Sequence, residues 1–136
     1  ETEAGAASDE VNLLAAGAAY GGPSAGTGEH RARAALPSTD RAPGGCAVQD
    51  GVLYVTSLDG HTLLAANIRS KGSQVVLGAF ERSLTNRYGR LRTVVAAPDG
   101  ALWLTTSNRD GHGKPVADDE RVLRIVPSNG GGNSVS

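Results

Sequence analysis

Between residues 47 and 127 the apolar positions fall in short runs or alternate with polar ones, and each stretch is closed by a turn residue. Alternation at a period of two over four to eight residues is the mark of a half-buried strand. The pattern predicts strands over 52–57, 62–68, 74–80, 90–97, 101–106 and 121–126. Asp-Gly pairs at 50–51, 59–60 and 99–100 supply the turns between several of them. Asn12 to Ala19 has the composition of a short helix, but Gly17 and the Gly21-Gly22-Pro23 breakers favour strand or loop. Residues 21–45 carry Gly, Pro, Ser and Thr without periodicity and read as a long surface connection. Residues 129–136 read as a flexible Gly/Ser tail. No apolar stripe at helical spacing lasts longer than two turns, so the expected class is all-β.

One unit occurs twice. Asp50-Gly51-Val52-Leu53-Tyr54-Val55-Thr56-Ser57 is followed by Asp59-Gly60-His61, and Asp99-Gly100-Ala101-Leu102-Trp103-Leu104-Thr105-Thr106 by Asp110-Gly111-His112. Asp50 corresponds to Asp99, Leu53 to Leu102 and Tyr54 to Trp103, a period of about 49 residues. A β-rich period of that length suits a propeller blade, a small sheet that must stack on neighbours to bury its faces. Tyr54 and Trp103, at matching places, are both expected in the blade core. At this period 136 residues hold fewer than three blades, whereas a propeller needs at least about four. The chain therefore reads as a partial β-propeller of about two to three blades. Its expected divisions are a loop-rich segment at 1–45, a blade at 46–85, a closing blade at 86–128 and the tail.

Composition narrows the function classes. The formal net charge is −1, which gives no reason to expect nucleic acid or an anionic membrane as partner. The apolar runs are too short to span a bilayer, and none resembles a signal peptide. Methionine is absent, so Glu1 is not an initiator and the N-terminal blades of a longer parent are expected upstream. The one cysteine, Cys46, has no internal partner for a disulfide and is expected as a small buried residue.

Several segments resemble the soluble quinoprotein glucose/sorbosone dehydrogenase family. They are Asp9-Glu10-Val11-Asn12-Leu13 with Gly17-Ala18-Ala19-Tyr20-Gly21, and Leu53-Tyr54-Val55-Thr56-Ser57-Leu58. Further on come Tyr88-Gly89-Arg90-Leu91-Arg92 leading to Pro98-Asp99-Gly100, Thr105-Thr106-Ser107-Asn108-Arg109-Asp110-Gly111, and Asp118-Asp119-Glu120-Arg121. The resemblance covers nearly the whole chain in order. It implies a six-bladed propeller of which this chain is the C-terminal portion. It also implies oxidation of an aldose or related sugar, with pyrroloquinoline quinone (PQQ) accepting the hydride, calcium holding the quinone, and an external electron acceptor. A periplasmic or extracellular location follows from the same likeness.

Arg90 and Arg92 flank Leu91, so on a strand both project from one face about 7 Å apart. Two guanidinium groups so placed suit a ligand with several carboxylates; the plainer reading is a pair of solvated surface arginines. The resemblance assigns them to PQQ, a tricarboxylate. It places the carbonyls of Gly5 and Ala6 on the calcium beside the quinone, and Glu10 and Tyr20 at a second, structural calcium, with Glu29 the nearest further candidate. Calcium takes six to eight oxygen ligands, carbonyls included.

Two features depart from the family pattern. Asp59 stands where a Lys or Arg usually meets the quinone, so its side chain is expected to face solvent or to pair with a cation such as Arg69. The family's general-base His lies in blades outside this chain, which makes the isolated chain an expected inactive fragment with no catalytic residue of its own. His30 falls in an irregular stretch, and His61 and His112 follow Asp-Gly turns where an exposed side chain is the default. A non-catalytic binding propeller and an inactive truncated product are the alternatives.

Overall fold

The computed structural model describes residues 9–17, 34–128 and 133–135. Gly5, Ala6, Tyr20, Glu29 and His30 lie outside them. Among the described residues there is no helix, and hence none long and apolar enough to cross a membrane. The all-β reading stands, as two main sheets and a two-stranded ribbon.

The ribbon pairs β1 (Glu10–Val11) with β2 (Ala34–Ala35). The first sheet has β3 (Pro43–Gln49), β4 (Val52–Ser57) and β5 (Thr62–Lys71) in antiparallel order. The long β5 then serves two partners: its second half pairs with β6 (Gln74–Leu77) and its first half with β7 (Glu81–Ser83). The second sheet runs β8 (Leu91–Ala96), β9 (Leu102–Thr106), β10 (Val122–Pro127) and β11 (Asn133–Val135). β4 and β9, which carry the repeated unit, are each second in their sheet.

Both sheets present their faces in the same sense. Leu53 and Val55 of β4 pack with Leu36 and Leu64 against Val11 of the ribbon. Their repeat equivalents, Leu102 and Leu104, pack instead against Tyr54 and Leu63 of the first sheet, with Leu91, Val94, Leu123 and Ile125. Each sheet thus lays one face on the element before it in the chain and turns the other toward the next. Tyr54 is buried because the second sheet packs over it. Trp103 faces away from the first sheet, no described sheet covers it, and it is 42% exposed. The expectation of a core role for Trp103 is corrected accordingly. The registers put Val95, Val122 and Val126 on its side, all exposed.

Three further expectations change. Residues 43–45 belong to a strand and not to the surface connection, because Gly44 and Gly45 sit where the sheets meet. A Cβ on Gly44 would collide with the Arg92 carbonyl oxygen, so only glycine allows this approach. The Thr56 hydroxyl, fully buried, is 2.9 Å from the same carbonyl and 3.2 Å from that of Gly45. Cys46 is exposed on this edge strand, next to the exposed Val48, and is not buried. Finally, the predicted strand at 74–80 ends at Leu77, and Asn133–Val135, in the stretch read as a tail, pairs with β10.

Burial assigns unequal weight to neighbouring apolar positions. Leu104 is fully buried between the sheets while Val122 is 68% exposed. Leu104→Ala is expected to cost about 2–5 kcal/mol in urea unfolding, and Val122→Thr to stay within about 0.5 kcal/mol. Equal effects would contradict the packing described.

Candidate functional site

The start of β8 lies where the turn after β4 and the loop between β9 and β10 converge. Arg90 is the centre of this junction and is only 8% exposed. Its NH1 donates to Asp59 Oδ1 at 2.7 Å, and its Nε to Asp110 Oδ2 at 3.2 Å. Asp59 and Asp110 are the repeat-equivalent Asp-Gly positions of the two sheets, so one guanidinium joins matching turns. Asp59 faces Arg90, and not Arg69 or solvent alone; its side chain keeps 53% exposure.

Arg92 lies beyond the fully buried Leu91 and is 48% exposed in its side chain. Its NH2 donates to Asp110 Oδ2 at 3.3 Å, the oxygen that Arg90 also uses. Both guanidinium groups therefore lie on the same side of the chain. The register slips between Leu91 and Thr93, and the Arg92 carbonyl turns toward Gly44 and Thr56 while its side chain faces outward. The pair is asymmetric: Arg90 is enclosed and committed, whereas Arg92 offers donors outward.

The loop carrying Asp110 is held by side chains whose part in the junction strand periodicity does not reveal. Asn108 accepts from the Arg90 backbone N–H at 2.8 Å and donates to the Tyr88 carbonyl at 2.9 Å. Gly89 makes this possible: its φ is +72°, and a Cβ there would collide with Asn108 Oδ1. Glu120 accepts from the Thr106 hydroxyl and from the N–H groups of Asn108 and Arg109, at 2.6–3.1 Å. On the other flank Asp40 is fully buried, with Arg82 NH2 2.8 Å from its Oδ1. Asn108, Asp110 and Glu120 do stand in the motifs that carry the family likeness, and the doubled Asp-Gly-His was the available signal for Asp110.

Of the residues assigned to calcium, only Glu10 is described. It is exposed on β1, and its Oε1 accepts from Asn12 Nδ2 at 3.2 Å. The neighbouring Asp9 accepts from the Ala42 N–H at 2.9 Å, which ties the ribbon to the start of β3. Among the described residues no three His, Cys, Asp or Glu side chains come together to hold a metal. His61 is half-buried with Nδ1 3.2 Å from Asn86 Oδ1, and His112 is exposed.

Hydrogen bonding holds the Asp110 carboxyl well below the usual carboxylate range, first through the His112 N–H, then through the Ser107 hydroxyl and Arg90. A carboxyl depressed in the folded state stabilises above its unfolded pKa of about 4, and this is lost as pH falls toward the folded value. The melting temperature should hold from neutral pH to about 5 and fall in more acid solution. Asp110→Asn should flatten that acid limb; an unchanged limb would contradict the bonding described.

No family model and no curated protein sequence matches the chain. Solved structures do. A glucose dehydrogenase-type oxidoreductase of Thermus thermophilus is 38% identical with a TM-score of 0.76, over 86% of this chain and 36% of that one. The PQQ-bound aldose sugar dehydrogenase of Streptomyces coelicolor is 32% identical with a TM-score of 0.72, over 86% of this chain and 37% of that one. The chain thus spans little more than a third of the length of these two proteins. Across most of its own length it is similar, in sequence and in fold, to the soluble PQQ-dependent sugar dehydrogenases, and its sheets form part of a β-propeller like theirs.

Proposed function

We propose that this chain supplies part of the quinone pocket of a PQQ-dependent dehydrogenase acting on an aldose or related sugar. The observation that carries the reading is the side-by-side placement of Arg90 and Arg92 over Asp110, in a chain 32% identical to a PQQ-bound enzyme.

The fit is specific in its division of labour. Arg92, half exposed, has guanidinium donors free to turn toward a carboxylate, and a planar fork receives one in a bidentate, charge-assisted pair. Arg90 is buried against Asp59 and Asp110, so it fixes the wall against which Arg92 stands. PQQ, when bound, supplies the hydride acceptor for sugar oxidation. In this reading the base that removes the sugar hydroxyl proton, and the remaining blades, are assigned to a part of the enzyme that this chain does not span. Gly5, Ala6, Glu10 and Tyr20 are the residues proposed toward calcium. The external electron acceptor and an extracytoplasmic location belong to the same reading.

A second reading, a propeller that binds without catalysis, draws on one observation. The cluster of Arg90, Arg92, Asp59 and Asp110 is neutral in sum, and Asp59 occupies the Arg90 side that a carboxylate would seek. The two readings diverge on quinone binding.

In the native-length protein with calcium, PQQ titration followed by absorbance should show saturable binding, and an aldose should then reduce a dye. Arg92→Gln should weaken PQQ about tenfold, the scale of one charge-assisted contact. Asp59→Asn should leave affinity unchanged or raise it, because it removes a negative charge from the pocket wall. No PQQ binding by the wild type would favour the second reading, and equal affinity in Arg92→Gln would take Arg92 out of the quinone pocket.

A further inference from the structure

The β9–β10 loop brings Asp110 to the two arginines, and Glu120 closes the neck of that loop. Glu120 Oε2 accepts from the Thr106 hydroxyl at 3.0 Å and from the Asn108 N–H at 3.1 Å, while Oε1 accepts from the Arg109 N–H at 2.6 Å. The same Thr106 hydroxyl accepts from the Arg121 N–H at 2.8 Å, so the end of β9 is tied to the residue before β10. Arg109 then reaches across the loop. It donates from Nε to the Asp119 carbonyl at 2.8 Å and from NH2 to the Val116 carbonyl at 3.1 Å.

Asn108, only 4% exposed, links this neck to β8. Glu120 grips it by its backbone, and its own side chain grips the Arg90 N–H and the Tyr88 carbonyl. Gly113 lies so close that a Cβ there would collide with Asn108 Cα. The Ser107 hydroxyl and the His112 N–H shape the Asp110 turn from within the loop and would move with it. They cannot fix where the turn stands against β8; Asn108 does that, and Glu120 holds Asn108. Both Glu120 oxygens are occupied by these three donors, none of them from Arg90 or Arg92, so its effect on the arginines runs through Asn108 and Asp110.

We propose that Glu120 is a positioning residue for the quinone pocket: it fixes the loop so that Asp110 meets Arg90 and Arg92, and thereby sets the direction in which Arg92 presents its guanidinium. The functional half of this inference rests on the quinone reading above. Groups that contact a ligand must be held to within about 0.5 Å by their supports, and small displacements are costly. Charge alone predicts the opposite sign, because removing a carboxylate favours an anionic ligand such as PQQ. Weaker binding in Glu120→Ala would therefore report lost position.

The test has two arms, both on the native-length protein. Without ligand, NMR follows hydrogen exchange of the Arg90 Nε–H, which donates to Asp110. Glu120→Ala should speed it about tenfold, while the backbone N–H of the core residue Leu104 stays within about twofold. Glu120→Gln, which keeps one acceptor oxygen, should fall between wild type and Glu120→Ala, and it serves where the alanine variant does not fold. Unchanged Arg90 exchange would overturn the proposal, and so would equal acceleration at Leu104, the mark of general destabilisation. With calcium present, Glu120→Ala should weaken PQQ about fivefold to tenfold in the wild-type background but less than about twofold beside Arg92→Gln, since it acts through Arg92. Additive losses, or tighter binding, would overturn the proposal. No PQQ binding by the wild type would refute the quinone reading and the pocket role with it, and the exchange arm would still decide whether Glu120 positions Asp110.

Discussion

The arrangement turns on one buried guanidinium. Arg90 immediately precedes β8 at the point where two sheets meet, and it is neutralised by one carboxylate from the turn after β4 and one from the β9–β10 loop. A buried cation without partners would be expelled to solvent or would destabilise the fold, whereas two flanking carboxylates make the position tenable. Because Asp59 and Asp110 sit in matching turns, the bridge also fixes how those turns stand relative to each other. Arg92 shares the Asp110 carboxylate with Arg90 and turns the rest of its side chain outward. Gly89 and Asn108 serve the same joint from the backbone side.

The repeated unit was the most legible part of the chain. Val52–Ser57 and Leu102–Thr106 are strands in equivalent places, and the Asp-Gly turns lie where the pattern put them. What the pattern could not carry was direction. Tyr54 and Trp103 are equivalent within their blades, yet one is buried and the other exposed, because burial depends on the neighbouring sheet and not on the residue. β3 was hidden for a related reason. Gly44 and Gly45 read locally as a break, but between sheets they permit a backbone contact that any side chain would block.

At the candidate site, strand alternation was enough to place Arg90 and Arg92 on one side. It could not show that one would be enclosed and the other open. That difference arises from the register slip after Leu91 and from partners distant in the chain, Asp59 and Asp110. In sequence Asp59 reads as a charge reversal against the quinone; in the fold it is the counterion of Arg90.

The central claim is that Arg90 joins the sheets while Arg92 turns outward from that joint. Its most direct test is urea unfolding of Arg90→Gln and Arg92→Gln beside the wild type, without ligand, at one pH and salt concentration. Arg90→Gln should lower the unfolding midpoint clearly, because it leaves Asp59 without its cation and Asp110 with only the half-exposed Arg92. Arg92→Gln should leave it near the wild-type value. Equal losses, or a loss confined to Arg92→Gln, would contradict the assignment of the two roles.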